Sequence, residues 1–331
     1  MSAPASTTRA PAELEGRVER ASVSPLRALE PTALAATRAA ALRCQAWIGR
    51  GDGNAADAAA TAAMRSALSR APGLGRVVVG EGAKDRAPML YEGERVGSGR
   101  GPDFDIAVDP LECTTLCARG LPGSLATIAF AQSGAMARLG AAFYMDKLVG
   151  PASLRGAIHL ENSVEDKLGA AAWVLDKPIA RLRVVVLDKP RHRELIERLH
   201  RTGACVVAPP DGDVAGALAA VLPDGGADLL MGVGGAAEGV MTACAVAALG
   251  GFMQARPAPQ RPDEARAVEK AGLRTDRVYE LDELVKGPSL FAATGVTGGE
   301  LLKRPRCSGG RTYTESILIT EGGAEYMVGA V

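Results

Sequence analysis

Segments rich in β-branched residues alternate with helical segments through the second half of the chain, and this alternation constrains the fold more than any other feature. Helices are predicted over 164–175, 191–201, 214–222 and 237–249, with strands between them over 183–187, 204–208 and 228–233. Strands that alternate with helices form βαβ units and a partly parallel sheet. The sequence therefore predicts an α/β protein of mixed α+β character.

The first half of the chain contains the same two kinds of segment in a less regular order. Two Ala-rich segments predict helices over 32–48 and 54–71, and Asn54 can cap the second. Further strands are predicted over 76–79, 104–108, 124–131, 143–149, 289–295 and 312–320. The Pro- and Arg-rich stretch 256–263 is interpreted as an exposed connection.

The charge balance and the apolar content exclude several kinds of partner. The 331 residues include 38 Lys and Arg and 38 Asp and Glu, whereas proteins that bind nucleic acid through phosphate contacts usually carry a basic excess. Aromatic residues make up only 4%, which leaves few rings to stack on bases. No uncharged apolar run is long enough to cross a membrane. We therefore expect neither a nucleic acid nor a membrane as partner.

The cysteines and the N-terminal segment indicate a cytoplasmic protein. Six cysteines occur without a CxxC pair, which favours free thiols over a disulfide framework. Residues 1–25 lack the apolar centre of a secretory signal and include Glu13, Glu15 and Glu19, which fit a transit peptide poorly. A disordered N-terminal extension is expected there.

Acidic residues follow several of the predicted strands at positions flanked by glycine. Glu81 lies in GEG, Asp109 and Glu112 lie in DPLE, and Glu238 lies in GVGGAAEG, while Asp57 follows the glycine-rich turn GRGDGN. In open α/β sheets, ligands bind at the carboxyl ends of the strands. Carboxylate oxygens are the ligands that Mg²⁺ and Mn²⁺ prefer, and the three histidines have no zinc-binding spacing. The pattern therefore predicts a magnesium or manganese site.

The strongest local signal is the segment DIAVDPLECTTL. Pro110 fixes the turn, so Asp109 and Glu112 can face the same metal ion. Thr114 brings a hydroxyl beside these acids, where it can orient a metal-bound water. The alternative interpretation is that the Asp-Pro-x-Glu sequence only caps the N-terminus of a helix.

Two further motifs indicate a phosphorylated sugar. Lys189 and Arg191 follow a strand and open a helix, a combination that suits a phosphate. Asp211 and Asp213 also follow a strand, and their carboxylates can accept hydrogen bonds from sugar hydroxyls. The alternatives are a solvated basic helix end and an ordinary Asp-Gly turn.

Eight motifs in this order resemble the class II fructose-1,6-bisphosphatases, members of the lithium-sensitive, metal-dependent sugar and inositol phosphatase superfamily. They cover the chain from about residue 25 to about residue 320: WIGRGDGNAAD (47–57), VVVGEG (77–82) with APMLYEGERVGSGRG (87–101), DIAVDPLE (105–112), YMDKLVGP (144–151), LDKPRH (187–192), PDGDVA (210–215), GVGGAAEGV (232–240) and FAATGVTGG (291–299). The resemblance implies a layered αβαβα sugar-phosphatase sandwich. We expect a metal-binding lobe over 26–160 and a sugar-phosphate-binding lobe over 161–331, which contributes Glu238 to the metal site.

The resemblance also implies the roles of individual residues. The metal ligands would be Asp57, Glu81, Asp109, Glu112 and Glu238, and they would hold two or more Mg²⁺ or Mn²⁺ ions. Thr114, with Asp57 or Glu81, would orient the attacking water, and Asp85 would be a further catalytic acid. Substrate contacts would come from Gly82, Glu112, Cys113, Thr114, Tyr144, Lys189, Arg191, Asp211, Asp213 and Glu238.

The activity that the resemblance implies is hydrolysis of the 1-phosphate of fructose 1,6-bisphosphate to fructose 6-phosphate and phosphate. Such a reaction serves gluconeogenesis or the reductive pentose phosphate cycle, and the enzyme would assemble as a homodimer or homotetramer. Two alternatives stay open. One is a dual enzyme that also accepts sedoheptulose 1,7-bisphosphate or another sugar or inositol phosphate. The other is a paralogue that binds a sugar phosphate without hydrolysing it.

One position departs from the family pattern. The family has glycine after DPxE, whereas this chain has Cys113. Glycine adopts a positive φ angle without strain, but a side chain in that conformation is strained. If φ is positive at Cys113, we expect a weaker affinity for phosphate or a lower rate.

Overall fold

The computed structural model describes Ser24, residues 26–81 and residues 89–330. The expected N-terminal extension therefore lies outside the described residues, apart from Ser24. Gly82 and Asp85 lie outside them as well. Within the described part, no helix is both long enough and apolar enough to cross a membrane.

The described residues form nine α-helices. They are α1 (Glu30–Cys44), α2 (Gly53–Leu68), α3 (Thr114–Arg119), α4 (Val164–Val174), α5 (Arg193–Thr202), α6 (Asp213–Val221), α7 (Ala236–Ala248), α8 (Pro262–Lys270) and α9 (Leu281–Leu284). Pro31 lies in the first turn of α1, where a missing N–H costs nothing. The cap of α2 is Asp52, whose carboxylate accepts a 2.9 Å hydrogen bond from the Ala55 N–H, so the prediction that Asn54 caps this helix is wrong. Both residue types cap helices well, and the observed cap lies two residues earlier than expected.

The strands form two mixed sheets. They are β1 (Gly73–Val79), β2 (Arg95–Arg100), β3 (Asp103–Glu112), β4 (Leu125–Gln132), β5 (Tyr144–Gly150), β6 (Arg183–Val185), β7 (Cys205–Val207), β8 (Leu229–Gly235), β9 (Phe252–Pro257), β10 (Tyr279–Glu280), β11 (Ser289–Gly295), β12 (Arg306–Ser308), β13 (Arg311–Thr320) and β14 (Gly323–Ala330). The first sheet has the order β12-β13-β11-β4-β3-β1-β2, with β14 paired to β13, and the second has the order β10-β9-β5-β8-β6-β7.

Among the strands of the described residues, three neighbouring pairs are parallel: β1 with β3, β6 with β7 and β6 with β8. The other pairings between the strands are antiparallel. The expected alternation of strands and helices through residues 164–249 is therefore confirmed, and so is the mixed α/β class.

Three hydrophobic clusters show how the layers stack. The first cluster joins α1 and α2 to one face of the first sheet, through residues such as Ala40, Met64 and Ile128. The second lies between the two sheets and contains much of α7, including Val240 and Met241. The third joins α4 and α5 to the outer face of the second sheet. The order helix, sheet, helix, sheet, helix agrees with the αβαβα sandwich that the resemblance implies.

Only part of the stretch 256–263 is the exposed connection that its composition suggests: residues 258–261 join β9 to α8, and residues 260–263 are exposed. Its first two residues complete β9, a strand inside the second sheet, and α8 begins at Pro262. The Arg256 guanidinium lies 3.5 Å from Asp146 and 3.7 Å from Glu161. These carboxylates offset the charge beside the sheet, so an arginine at this position is compatible with a strand.

The division of strands between the sheets does not follow chain order. The first sheet takes β1 to β4 and β11 to β14, whereas β5 to β10 form the second. Residues from both ends of the chain therefore share one sheet. The lobes expected over 26–160 and 161–331 stay a prediction.

Candidate active site

A cavity of about 630 Å³ lies at the C-terminal ends of β1, β3 and β8. Every predicted site residue within the described part of the chain lines it: Asp57, Glu81, Asp109, Glu112, Cys113, Thr114, Tyr144, Lys189, Arg191, Asp211, Asp213 and Glu238. The fold thus gathers motifs that are far apart in the sequence, at the strand ends where α/β proteins bind ligands. The roles of Gly82 and Asp85 stay predictions.

Three acids reach the cavity from separate elements. Asp57 lies in the second turn of α2, directly after the glycine-rich turn. Glu81 follows the end of β1, and Glu238 lies in the first turn of α7, directly after β8. Each acid is therefore placed by the point at which a helix begins or a strand ends.

A bulge in β3 places the other two acids, Asp109 and Glu112, at the cavity. The strand does not end at residue 108 as expected but continues to Glu112. Asp109 is opposite Thr127 and Glu112 is opposite Leu125, so the β3 side of this pairing contains an extra residue. Pro110 fits inside this irregularity because the ladder needs no N–H there.

The interpretation that Asp109 and Glu112 cap a helix is not supported. Asp109 Oδ1 accepts a 3.1 Å hydrogen bond from the Leu111 N–H, which closes a local turn within β3. The residue that caps α3 is Cys113, and its side chain makes no capping hydrogen bond. Both acids face the cavity instead.

Crowding of negative charge raises the pKa of two of these acids. For Asp109 the pKa lies well above its usual range, because of burial first and then the charges of Glu81, Glu238, Glu112 and Asp57. Asp109 is therefore close enough to each of the other four acids to sense its charge.

Glu112 is perturbed in the same way. Its pKa rises to about 8, first through burial and then through the charge of Asp213, while a hydrogen bond from Cys113 opposes the rise. Glu238 and Asp211 contribute smaller increases. A bound cation would offset this repulsion.

The chemistry of this donor set fits a hard divalent cation. The five acids offer only carboxylate oxygens, the ligand type that Mg²⁺ and Mn²⁺ prefer. Across residues 26–81 and 89–330, no three Asp, Glu, His or Cys side chains already converge closely enough to hold an ion. The acids therefore line one cavity but are not drawn around a single point.

Thr114 is arranged to accept a hydrogen bond. Its hydroxyl donates to the Leu111 carbonyl at 2.9 Å, so its proton is occupied and its lone pairs stay available. It is the first residue of α3 and lines the cavity beside Glu112. A water molecule can therefore donate a hydrogen bond to it.

A basic group in the same cavity is fixed by its neighbours. The Arg191 guanidinium donates two hydrogen bonds, of 3.0 and 2.9 Å, to the Val233 carbonyl. It also lies over the Tyr144 ring, 5.1 Å from the centroid. Because a guanidinium has five N–H donors, these contacts orient it and still leave donors for a phosphate.

Lys189 and the two aspartates complete this part of the wall. Lys189 Nζ lies 3.6 Å from Oδ1 of Asp211, and both side chains are partly exposed. Gly212 has a φ angle of +99°, and α6 begins at the next residue, Asp213. Asp213 is buried and paired with Lys147, which a solvated Asp-Gly turn would not require.

Sequence reasoning missed two residues that support this wall. Lys147 is buried beside Asp213, and His192 is buried beneath the loop that carries Lys189 and Arg191. A lone lysine within the apolar strand YMDKLVG is the signal that could have identified Lys147, because an unpaired ammonium is costly inside a protein. No local pattern marks His192, whose contacts come from segments distant in the sequence.

His192 is held as a neutral ring by two hydrogen bonds. Nδ1 lies 2.7 Å from the Leu187 carbonyl, to which it donates, and Nε2 accepts a 2.8 Å hydrogen bond from the Val233 N–H. Burial lowers the pKa of His192 most, and the positive charge of Arg191 lowers it further. The hydrogen bond to the Leu187 backbone and the charges of Asp146 and Asp213 act in the opposite direction, but the net shift is downward. The neutral ring therefore links the loop after β6 to β8.

The departure at Cys113 has a clear conformational consequence. Its φ and ψ angles are 63° and 49°, in the left-handed region that favours glycine. Its thiol donates to Oε2 of Glu112 at 2.9 Å, and its carbonyl accepts a 3.0 Å hydrogen bond from the Ser124 hydroxyl. Burial, and then the negative charge of Glu112, keep the pKa of the thiol far above its usual range. The thiol is therefore held in the protonated form.

The layered fold, with an acid cluster and basic groups in one cavity, defines the class as a sugar-phosphatase sandwich. A family model described as bacterial fructose-1,6-bisphosphatase, glpX-encoded, matches residues 27–326. The chain belongs to this family.

Curated relatives agree with this assignment. The chain is 42% identical to fructose-1,6-bisphosphatase class 2 of Haemophilus influenzae over 297 residues, 86% of this chain and 89% of the relative. It is 44% identical to fructose-1,6-bisphosphatase 2 class 2 of Escherichia coli K12 over 303 residues, 87% of this chain and 94% of the relative. It is 38% identical to a Synechococcus protein named D-fructose 1,6-bisphosphatase class 2/sedoheptulose 1,7-bisphosphatase, over 85% of this chain and 88% of the relative.

We expect Cys113→Gly to stabilise the protein. Glycine releases the left-handed strain of about 1–2 kcal/mol, part of which is offset by the greater freedom of glycine in the unfolded chain. The net gain in the free energy of unfolding should be about 1 kcal/mol by urea denaturation, and kcat/KM should rise. Cys113→Ala is the control, since it removes the thiol and keeps the strain. Equal losses of stability in both variants would contradict the role of φ.

We expect His192 to make stability depend on pH. Its folded pKa lies below the unfolded value of about 6.5, so its contribution is present above that pH and is lost as pH falls below it. Between about pH 7.5 and pH 5.5, the wild type should lose about 1 kcal/mol more stability than His192→Gln, which cannot titrate. The exposed His200 provides the control His200→Gln. Parallel pH curves for the wild type and His192→Gln would contradict this prediction.

Proposed function

We propose that this protein hydrolyses the 1-phosphate of fructose 1,6-bisphosphate to give fructose 6-phosphate and phosphate. The observation that carries the proposal is the single cavity in which five acids and the basic groups of Lys189 and Arg191 are brought together. Acids alone would suit a cation, and basic groups alone would suit any anion. Both in one cavity suit a phosphoryl-transfer site that also holds a second phosphate.

Divalent cations are part of the proposal, and the family is generally metal-dependent. Two or more Mg²⁺ or Mn²⁺ ions would be held by Asp57, Glu81, Asp109, Glu112 and Glu238, whose crowding supports this assignment. When bound, such ions lower the pKa of a water molecule and neutralise charge on the phosphoryl and leaving oxygens.

Thr114 and a neighbouring acid orient the attacking water in this mechanism. The Thr114 proton is engaged by Leu111, so the hydroxyl oxygen accepts one hydrogen bond from the water. Asp57 or Glu81 accepts the other, and the water oxygen is then directed at phosphorus for in-line attack. Holding the water in this way replaces an unfavourable encounter in solution by a prearranged one.

The other end of the substrate is held by the basic wall. Lys189 and Arg191 bind the 6-phosphate, and Tyr144, Asp211 and Asp213 contact the sugar. Binding free energy gained at this non-reacting end positions the 1-phosphate for attack. Cys113 lies beside the acids, where the family has glycine, and affects the shape of the phosphate pocket.

A second activity has one specific observation in its favour. The Synechococcus relative is named both as a fructose 1,6-bisphosphatase and as a sedoheptulose 1,7-bisphosphatase. A dual enzyme is therefore the alternative, and phosphate release from the two bisphosphates distinguishes it.

Turnover that depends on metal would exclude a paralogue that only binds the sugar phosphate. We infer a homodimer or homotetramer in the cytoplasm as the working form.

We expect Asp109→Asn to lower kcat at least about 100-fold in a phosphate-release assay with saturating Mn²⁺, because it removes a charged ligand and the basis of metal binding. Asp103→Asn is the matched control, since Asp103 is exposed at the start of the same strand. Wild-type turnover in Asp109→Asn would refute the metal assignment. Equal losses in both variants would point to damage to β3 rather than to the site.

We expect Arg191→Met to raise KM for fructose 1,6-bisphosphate about 10- to 100-fold, the value of one or two lost charged hydrogen bonds. The change in kcat should be smaller, because the 6-phosphate does not react. Arg193→Met is the control, since Arg193 is exposed at the start of α5 and does not line the cavity. An effect on kcat alone would contradict the 6-phosphate role.

A further inference from the structure

A buried lysine joins two walls of the cavity. Lys147 lies in β5 between its partners Gly232 in β8 and Ala255 in β9, and only 2% of its surface is exposed. Its Nζ atom lies 2.5 Å from Oδ2 of Asp213 and donates a 2.8 Å hydrogen bond to the Gly235 carbonyl. One ammonium group therefore binds both the first residue of α6 and the residue that precedes α7.

Lys147 acts on the site only through other residues. It does not line the cavity, whereas Asp213 and Gly235 both do. Within the described part of the chain, Oδ2 of Asp213 is engaged by Lys147 and Oδ1 accepts no hydrogen bond. The ion pair thus leaves one carboxylate oxygen as an acceptor for a ligand hydroxyl.

The backbone is shaped around this ion pair. A Cβ atom on Gly234 would lie 1.7 Å from Oδ2 of Asp213 and 3.0 Å from Nζ of Lys147. A Cβ atom on Gly235 would lie 1.8 Å from Oε2 of Glu238. The two glycines that end β8 therefore make room for the ion pair and for one of the cavity acids.

Stability alone does not explain a buried ion pair. Desolvating two charges offsets much of their attraction, and apolar residues of the same size often stabilise a protein as well or better. The charge of Asp213 has a cost in the site, because it raises the pKa of Glu112. The Lys147 ammonium lies 2.5 Å from Asp213 and offsets part of this negative charge beside the acid cluster.

We propose that Lys147 is a positioning residue for substrate recognition: its ammonium group, bound to Asp213 and to the Gly235 carbonyl, keeps Asp213 oriented to accept a hydrogen bond from a sugar hydroxyl. The proposal rests on the proposed function for the identity of the sugar phosphate. Through Gly235, the same ammonium also fixes the start of α7, the helix that carries Glu238.

A double-mutant cycle tests this role. Lys147→Met, Asp213→Asn and the combined variant are compared by KM and kcat for fructose 1,6-bisphosphate, with Mn²⁺ at saturation. We expect each single variant to raise KM about 10- to 100-fold with a smaller change in kcat, because the sugar hydroxyl loses an oriented acceptor. The combined variant should be no worse than Asp213→Asn, since Lys147 acts through Asp213.

A second lysine provides the matched control. Lys177 Nζ also lies 2.5 Å from an aspartate oxygen, Oδ1 of Asp228, but neither residue lines the cavity. Lys177→Met should leave KM unchanged.

If Lys147→Met folds poorly because Asp213 is left unpaired, the combined variant, which buries no unpaired charge, is compared with Asp213→Asn alone. A KM for the combined variant far above that of Asp213→Asn would overturn the proposal.

Two further outcomes would overturn the proposal. One is a Lys147→Met variant with wild-type KM and a lowered unfolding temperature, which would show a structural role only. The other is multiplication of the single effects in the combined variant, which would show that Lys147 acts independently of Asp213.

Calorimetric titration with fructose 6-phosphate separates this proposal from the proposed function. This probe has sugar hydroxyls and one phosphate, and its Kd should rise about tenfold in both single variants without a further rise in the combined variant. A wild type that binds the probe but releases no phosphate from fructose 1,6-bisphosphate would refute the proposed function, and the binding cycle would still decide the role of Lys147. A wild type that does neither would overturn both.

Discussion

Repulsion among carboxylates held in one cavity is the constraint on which the rest of this structure depends. Five acids meet at strand and helix ends, and the pKa of Asp109 rises first through desolvation and then through the charges of the other four. Such a cluster cannot stabilise the fold, so packing elsewhere must offset its cost. The three apolar clusters between and outside the sheets provide that packing, and they leave the strand ends free to carry charge.

Positive charge is placed around this cluster with different degrees of burial. Lys147 is enclosed and paired with Asp213, whereas Lys189 lies at the partly exposed edge, 3.6 Å from Asp211. Arg191 is held by a backbone carbonyl and an aromatic ring rather than by an acid, so its charge stays available for an anion. The enclosed cation orients protein groups, and the outer cations are suited to hold a phosphate.

Much of the fold could be predicted from local patterns. The strand over 289–295 has the predicted bounds, and the alternation through residues 164–249 is confirmed, because buried strands and helices are continuous apolar segments with clear breaks. The glycine-rich β2 and the C-terminal β14 were missed, since their residues lack a buried face of their own and depend on pairing with β1 and β13. The start of the stretch 256–263 was misinterpreted as a connection because composition does not show that Arg256 has carboxylate partners.

The sequence by itself determined the family, the order of most elements and the set of acids and cations that line the cavity, because these follow from motifs and from the rule that strand ends carry ligands. Only the tertiary structure decided that Cys113 has a positive φ angle and that Lys147 pairs with a residue 66 positions away. The sheet order sets both outcomes. β5 lies between β9 and β8, and the bulge in β3 lies against β4, so distant segments impose these contacts and no local pattern encodes them.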